Sequence, residues 1–107
     1  MDFIPPHIDE FSEAHTTPEN ALLYDLNRQT HIQIMIPRML SGHMQGRILS
    51  LFSHMTKPKN ILEIGTYTGY SALCLAEGMQ EDGKLITIDK NEELEEFTQS
   101  YFDNSEF

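Results

Sequence analysis

Ile61-Leu62-Glu63-Ile64-Gly65-Thr66-Tyr67-Thr68-Gly69-Tyr70-Ser71 is the stretch whose reading decides the fold. Ile61 to Ile64 is a short, mostly apolar run that stops at Gly65, the signature of a strand running into a turn. After Gly69 the period changes. Tyr70 to Met79, with Leu73, Leu75, Ala76 and Met79, has helical spacing and closes at Gln80-Glu81-Asp82-Gly83. Lys84-Leu85-Ile86-Thr87-Ile88 reads as a second strand ending on Asp89, and Asn91 is placed to cap an acidic helix reaching about Tyr101. Strand, glycine-rich turn, helix and strand make a βαβ unit, with parallel strands and a right-handed crossover. Two parallel strands cannot bury both faces of a sheet. The expectation is the front part of a larger α/β domain.

Upstream, residues 1–16 are expected to be irregular, with Pro5-Pro6 and a polar stretch containing His7, Asp9, Glu10 and His15. Thr17-Pro18-Glu19-Asn20 reads as a helix start, with Thr17 as cap, Pro18 at the first position and Glu19 facing the positive dipole end. Leu22, Leu23 and Leu26 then place a helix over about 18–31, and Pro37 interrupts the segment after it. Ser41-Gly42 is turn-like. From His43 a second helical pattern (Met44, Ile48, Leu49, Leu51, Phe52, Met55) runs to Lys57-Pro58-Lys59-Asn60. No repeat or low-complexity linker divides residues 17–107, which read as one portion of a single domain.

The chain has 107 residues, enough for one core that buries roughly two thirds of the unfolded surface. Lys and Arg number 7 against 17 Asp and Glu, a net charge of −10 that argues against nucleic acid and anionic membrane surfaces. No apolar run approaches the ~18–20 residues of a spanning helix. The N-terminus lacks the basic and apolar regions of a signal peptide. Cys74 is the single cysteine, so no internal disulfide forms and a cytoplasmic setting is expected.

The glycine-rich turn sits where open α/β sheets bind ligands, beyond the carboxyl end of the first strand. A dinucleotide fingerprint, Gly-x-Gly-x-x-Gly, needs its second glycine for pyrophosphate approach, but Tyr67 stands there. An NAD-type oxidoreductase is therefore disfavoured, and the lack of Gly-Lys-Ser/Thr excludes a nucleoside triphosphate P-loop. Glu63, two residues before Gly65, would repel phosphate and attract a cation or amine. Asp89, about twenty residues beyond Gly69, can accept two hydrogen bonds from ribose hydroxyls. A ligand with a ribose and a cationic or zwitterionic part, but no phosphate, fits both. S-adenosylmethionine answers that description.

At these residues the chain resembles the S-adenosylmethionine-dependent O-methyltransferases of the catechol and caffeoyl-CoA type. Ile61 to Ser71 looks like their first motif and Leu85-Ile86-Thr87-Ile88-Asp89 like their second strand. Met39-Leu40-Ser41-Gly42-His43-Met44-Gln45-Gly46 is similar to the segment before their first core helix. The resemblance, over about residues 17–105, implies a Rossmann-like methyltransferase fold of which this chain carries the N-terminal helices and the first βαβα. It also implies roles. Glu63 lies near the methionine amino end of the cofactor, Gly65 and Thr66 make a close backbone approach, and Tyr67 lines the pocket. Ser71 bonds the methionine carboxylate, Ser41 offers backbone contacts, and Asp89 holds the ribose. The whole enzyme would methylate a hydroxyl of a small aromatic acceptor, with a divalent, Mg-like metal. The metal ligands and the base follow later strands of the family's sheet and have no counterpart here, so no catalytic residue is assigned. Relatives are often homodimers, and the apolar N-terminal helices are interface candidates.

Other readings of the same residues compete. Gly65 and Gly69 could be plain turn glycines, Asp89 could cap the following helix, and Ser71 could be an ordinary helix-start residue. Tyr70 reads better as a packing aromatic, and Cys74 as core rather than nucleophile. The five histidines lack metal-ligand spacing, and Met35, Met39, Met44, Met55 and Met79 suit core or interface packing. Glu92, Glu93, Glu95 and Glu96 suit a solvated helix face. A different class of function also remains: a non-catalytic module, binding the cofactor or associating with itself through an exposed sheet edge.

Overall fold

The computed structural model describes residues 4–35 and 39–107. The elements in order are α1 (Pro6–Ala14), α2 (Ala21–Gln33), α3 (Gly42–Thr56), β1 (Asn60–Ile64), α4 (Tyr70–Ala76), β2 (Lys84–Ile88), a 3-10 turn (Glu92–Leu94) and α5 (Glu95–Asp103). The βαβα reading of the second half holds. β1 and β2 pair in parallel, with Asn60 opposite Lys84 and Ile64 opposite Ile88.

The N-terminal segment departs from the expectation of irregular chain. Pro6 occupies the first turn of α1, where a missing N–H costs nothing, so the prolines start a helix. α1 buries no residue; it rests on α3, and Thr16 just after it bonds the Met44 sulfur at 3.2 Å. The cap of α2 is Asn20, whose side chain accepts the Leu23 N–H at 2.8 Å; Thr17 instead gives its carbonyl to His43. Pro37, expected to interrupt the chain, lies outside the described residues.

The core is helical. Leu23 and Leu26 from α2, Tyr70, Leu73 and Cys74 from α4, and Tyr101 from α5 form its buried centre, with Leu40, Leu49 and Phe102 packed around it. Tyr70 is 1% exposed and donates to Glu19 at 2.5 Å; burial, then this carboxylate, raises its pKa. Cys74 is fully buried, and burial pushes its thiol up to about 11 against the pull of Arg47. Both expectations of packing roles are met. Met35, Met39 and Met55, by contrast, are exposed.

α3 lies against α4 with its small, polar side inward: Gly46, Ser50 and Ser53 are its buried residues. A Cβ on Gly46 would come within 2.7 Å of the Tyr70 ring and 2.8 Å of the Cys74 sulfur, so the approach requires glycine. Polar bonds complete the contact. Ser53 donates to the Leu75 carbonyl at 2.5 Å, Ser50 to Glu77 at 2.5 Å, and Arg47 pairs with Glu77 at 2.9 Å. The consequence is an inverted helix, with Ile48, Leu51, Phe52 and Met55 exposed on its outer side.

The sheet is similarly one-sided. Ile61, Glu63, Leu85 and Thr87 are the half-buried residues, while Leu62 (66%), Ile64 (83%), Ile86 (50%) and Ile88 (53%) are exposed. Glu63 reaches Ser71 of α4, and Leu85 and Thr87 share a cleft with Ala72 and Ala76, which places α4 on the half-buried face. Among the described residues, no helix is long and apolar enough to cross a membrane.

Candidate functional site

Parallel pairing sends the carboxyl ends of β1 and β2 to the same edge. The last rung there is the Gly65 N–H on the Ile88 carbonyl at 2.7 Å. Gly65 has φ +100° and Gly69 φ +94°, values that L side chains rarely adopt, so both motif glycines are conformational requirements. Gly69 is needed for space as well, since a Cβ there would fall 2.6 Å from the Phe102 ring.

Tyr67, between them, has φ +50°, a left-handed conformation that costs a non-glycine residue about 1 kcal/mol or more. Two elements hold it. Its N–H donates to Asp89 Oδ2 at 2.8 Å, and its carbonyl accepts from Thr98 Oγ1 of α5 at 3.0 Å. Beneath the turn, Thr68 is fully buried, its hydroxyl 3.2 Å from that of Thr30 in α2. Thr30 and Thr98 are thus parts of the turn's support that motif reading does not find. Both lie on helices remote in sequence, and a buried threonine there carries no local signal.

Asp89, foreseen as a helix cap, is not the cap itself: Asn91 takes that place, and Asp89 braces the turn on either side. Oδ2 takes Tyr67, and Oδ1 takes the Asn91 N–H at 2.9 Å, forming the turn from which Asn91 caps the 3-10 turn. These N–H donors, Asn91 first and then Tyr67, hold its carboxyl below the ordinary range. Each oxygen keeps further acceptor capacity. The residue is exposed and opens onto a cavity of about 310 Å³, lined also by Thr66, Tyr67, Thr87, Thr98 and Phe102. That volume lies at the lower end of small-molecule sites. Burial raises the Tyr67 phenol above its usual pKa, so it is neutral at pH 7.

A second cluster adjoins the first. Glu63 accepts from Ser71 Oγ at 2.5 Å and from Thr87 Oγ1 at 2.8 Å, and Thr87 in turn meets Thr66 Oγ1 at 2.6 Å. The structure therefore brings Glu63, Gly65, Thr66, Tyr67, Ser71 and Asp89 to one sheet edge. Of these, Thr66, Tyr67 and Asp89 line the cavity, while Glu63, Gly65 and Ser71 do not, nor does Ser41 at the start of α3. No three His, Cys, Asp or Glu side chains among the described residues are grouped to hold a metal ion.

The turn's support yields a prediction. Thr98→Val removes the donor to a strained residue and leaves the Tyr67 carbonyl without it, so stability should fall by about 1–2 kcal/mol in urea unfolding followed by circular dichroism. A variant as stable as the parent contradicts this role.

Comparison with known proteins agrees with the geometry. Over 55 residues, 51% of this chain and 22% of the relative, it is 45% identical to a caffeoyl-CoA O-methyltransferase of Medicago sativa. A catechol O-methyltransferase of Niastella koreensis is 37% identical over 54 residues, 50% of this chain and 24% of that enzyme. Among solved structures, the O-methyltransferase TomG of Streptomyces achromogenes, in complex with SAM, superposes with a TM-score of 0.81 at 26% identity. That match covers 92% of this chain and 44% of TomG, so this chain spans less than half the length of each of these three proteins. The architecture is that of the N-terminal part of a Rossmann-like methyltransferase domain. A family model for O-methyltransferases matches residues 12–107, almost the whole chain, and the chain belongs to that family.

Proposed function

We propose that this chain carries the S-adenosylmethionine-binding half of an O-methyltransferase. The whole enzyme would methylate a hydroxyl of a small aromatic acceptor, catechol-like or caffeoyl-CoA-like. The observation that carries the reading is the Asp89 carboxylate beside the left-handed Tyr67 turn, at the mouth of a small-molecule cavity. TomG was solved with SAM, and the relatives named for caffeoyl-CoA and catechol suggest the acceptor class.

In this reading Asp89 accepts the ribose hydroxyls, its charge secured by the two backbone donors. Glu63 faces the cationic amino end, the backbone of Gly65 and Thr66 makes the close approach, and Tyr67 walls the cavity. Ser71 and the backbone at Ser41 complete the methionine end. S-adenosylmethionine, when bound, would supply an electrophilic methyl carbon whose bond to sulfur breaks as an acceptor oxygen bonds to it, with S-adenosylhomocysteine as the leaving group. The described residues contribute binding and orientation to that step. Their donor set does not make a site for the divalent metal that the family resemblance implies. A cytoplasmic setting suits a single buried thiol.

A second reading, a self-associating fragment or a homodimer built on these faces, is favoured by one observation. The sheet face of Leu62, Ile64, Ile86 and Ile88 and the outer side of α3 are apolar and exposed. It predicts a mass that rises with concentration in light scattering; a monomer at every concentration removes it.

For the first reading, calorimetric titration with S-adenosylhomocysteine should give saturable binding, weakened about tenfold or more by Asp89→Asn. Because the carboxyl is held below its ordinary range, the Asp89-dependent part should persist through the pH range in which ordinary carboxylates take up protons and vanish only on further acidification. Unchanged affinity in Asp89→Asn rules out the ribose assignment.

A further inference from the structure

We infer that Thr87, on β2 and outside the glycine-rich motif, is a positioning residue that holds the Glu63 carboxylate toward the cofactor's cationic amino group. The inference rests on the S-adenosylmethionine reading above. An ionised carboxylate only accepts, so the contacts at 2.8 Å from Thr87 and 2.5 Å from Ser71 both have the hydroxyl as donor. They fall on different oxygens, Oε1 and Oε2, and so fix the rotation of the group. Thr87 has one proton, already committed to Glu63. The 2.6 Å contact with Thr66 therefore has Thr66 donating to Thr87. The chain Thr66 to Thr87 to Glu63 runs in one direction, from the turn through β2 to the end of β1.

Ser71 makes Thr87 necessary in the bound state. Its single proton also lies on Glu63, so donating to a methionine carboxylate requires Ser71 to release that oxygen. Thr87 is then the side-chain donor that continues to hold Glu63. Thr87 also lines the cavity beside Asp89, so the network borders the place where the ligand would sit.

The test separates positioning from packing. Thr87→Val keeps the β-branched shape without the hydroxyl, and Thr87→Ser keeps the hydroxyl. Both are titrated calorimetrically with S-adenosylhomocysteine and with its analogue carrying hydrogen in place of the amino group, after circular dichroism confirms folding. Thr87→Val should weaken S-adenosylhomocysteine about tenfold and leave the deaminated analogue unaffected, and Thr87→Ser should restore the loss. Unchanged S-adenosylhomocysteine affinity in Thr87→Val, or equal loss of both ligands, overturns the inference while the cofactor reading stands. If the parent chain binds neither ligand, the cofactor reading fails and the inference fails with it.

Discussion

The parallel register of β1 and β2 is the constraint on which the site depends. With Ile64 opposite Ile88, the chain leaves both strands at one edge, and Gly65 and Asp89 emerge side by side. An antiparallel pair would send the glycine turn and the acidic residue to opposite ends. From that edge Asp89 reaches the Tyr67 N–H, and Thr98 takes the carbonyl, so a strained residue is held at both of its main-chain polar groups. The arrangement is a preformed concavity with a carboxylate of fixed orientation. Its strain is local, and its supports come from the residue after β2, from α5 and from Thr30 of α2.

α4 follows the turn directly, and α3 fits closely against α4 because Gly46, Ser50 and Ser53 present so little bulk. Burying the small side leaves the large residues of α3 outside, just as covering one face of the sheet leaves four apolar side chains on the other. Two-sided burial is the normal state of a parallel sheet. TomG, of which this chain matches 44%, has chain beyond the matched part. The exposed faces here are apolar.

Period and punctuation make most of the fold legible in the sequence. Lys84 to Ile88 appears as read, β1 differs by one residue, and α4 stops at Ala76 because Glu77 and Gly78 turn against α3. α1 escapes a sequence reading because two prolines suggest broken chain, whereas a proline in the first turn begins a helix. Glu63, Ser71 and Asp89 stand out because charge and glycine spacing are local signals. Thr30, Thr87 and Thr98 do not, since a threonine gains meaning only from what tertiary packing places beside it. Ser71 reads toward a ligand in the sequence; the structure shows its hydroxyl on Glu63.

The cofactor pocket proposed at this sheet edge would be formed by residues 63–71 and 87–91. The most direct measurement is a two-dimensional amide NMR titration of the 107-residue chain with S-adenosylhomocysteine. Shifts concentrated at the amides of Gly65 to Ser71 and Asp89 to Asn91 are the predicted result. Saturable shifts confined to α1, α2 or the outer side of α3, or none in a folded chain, would contradict it.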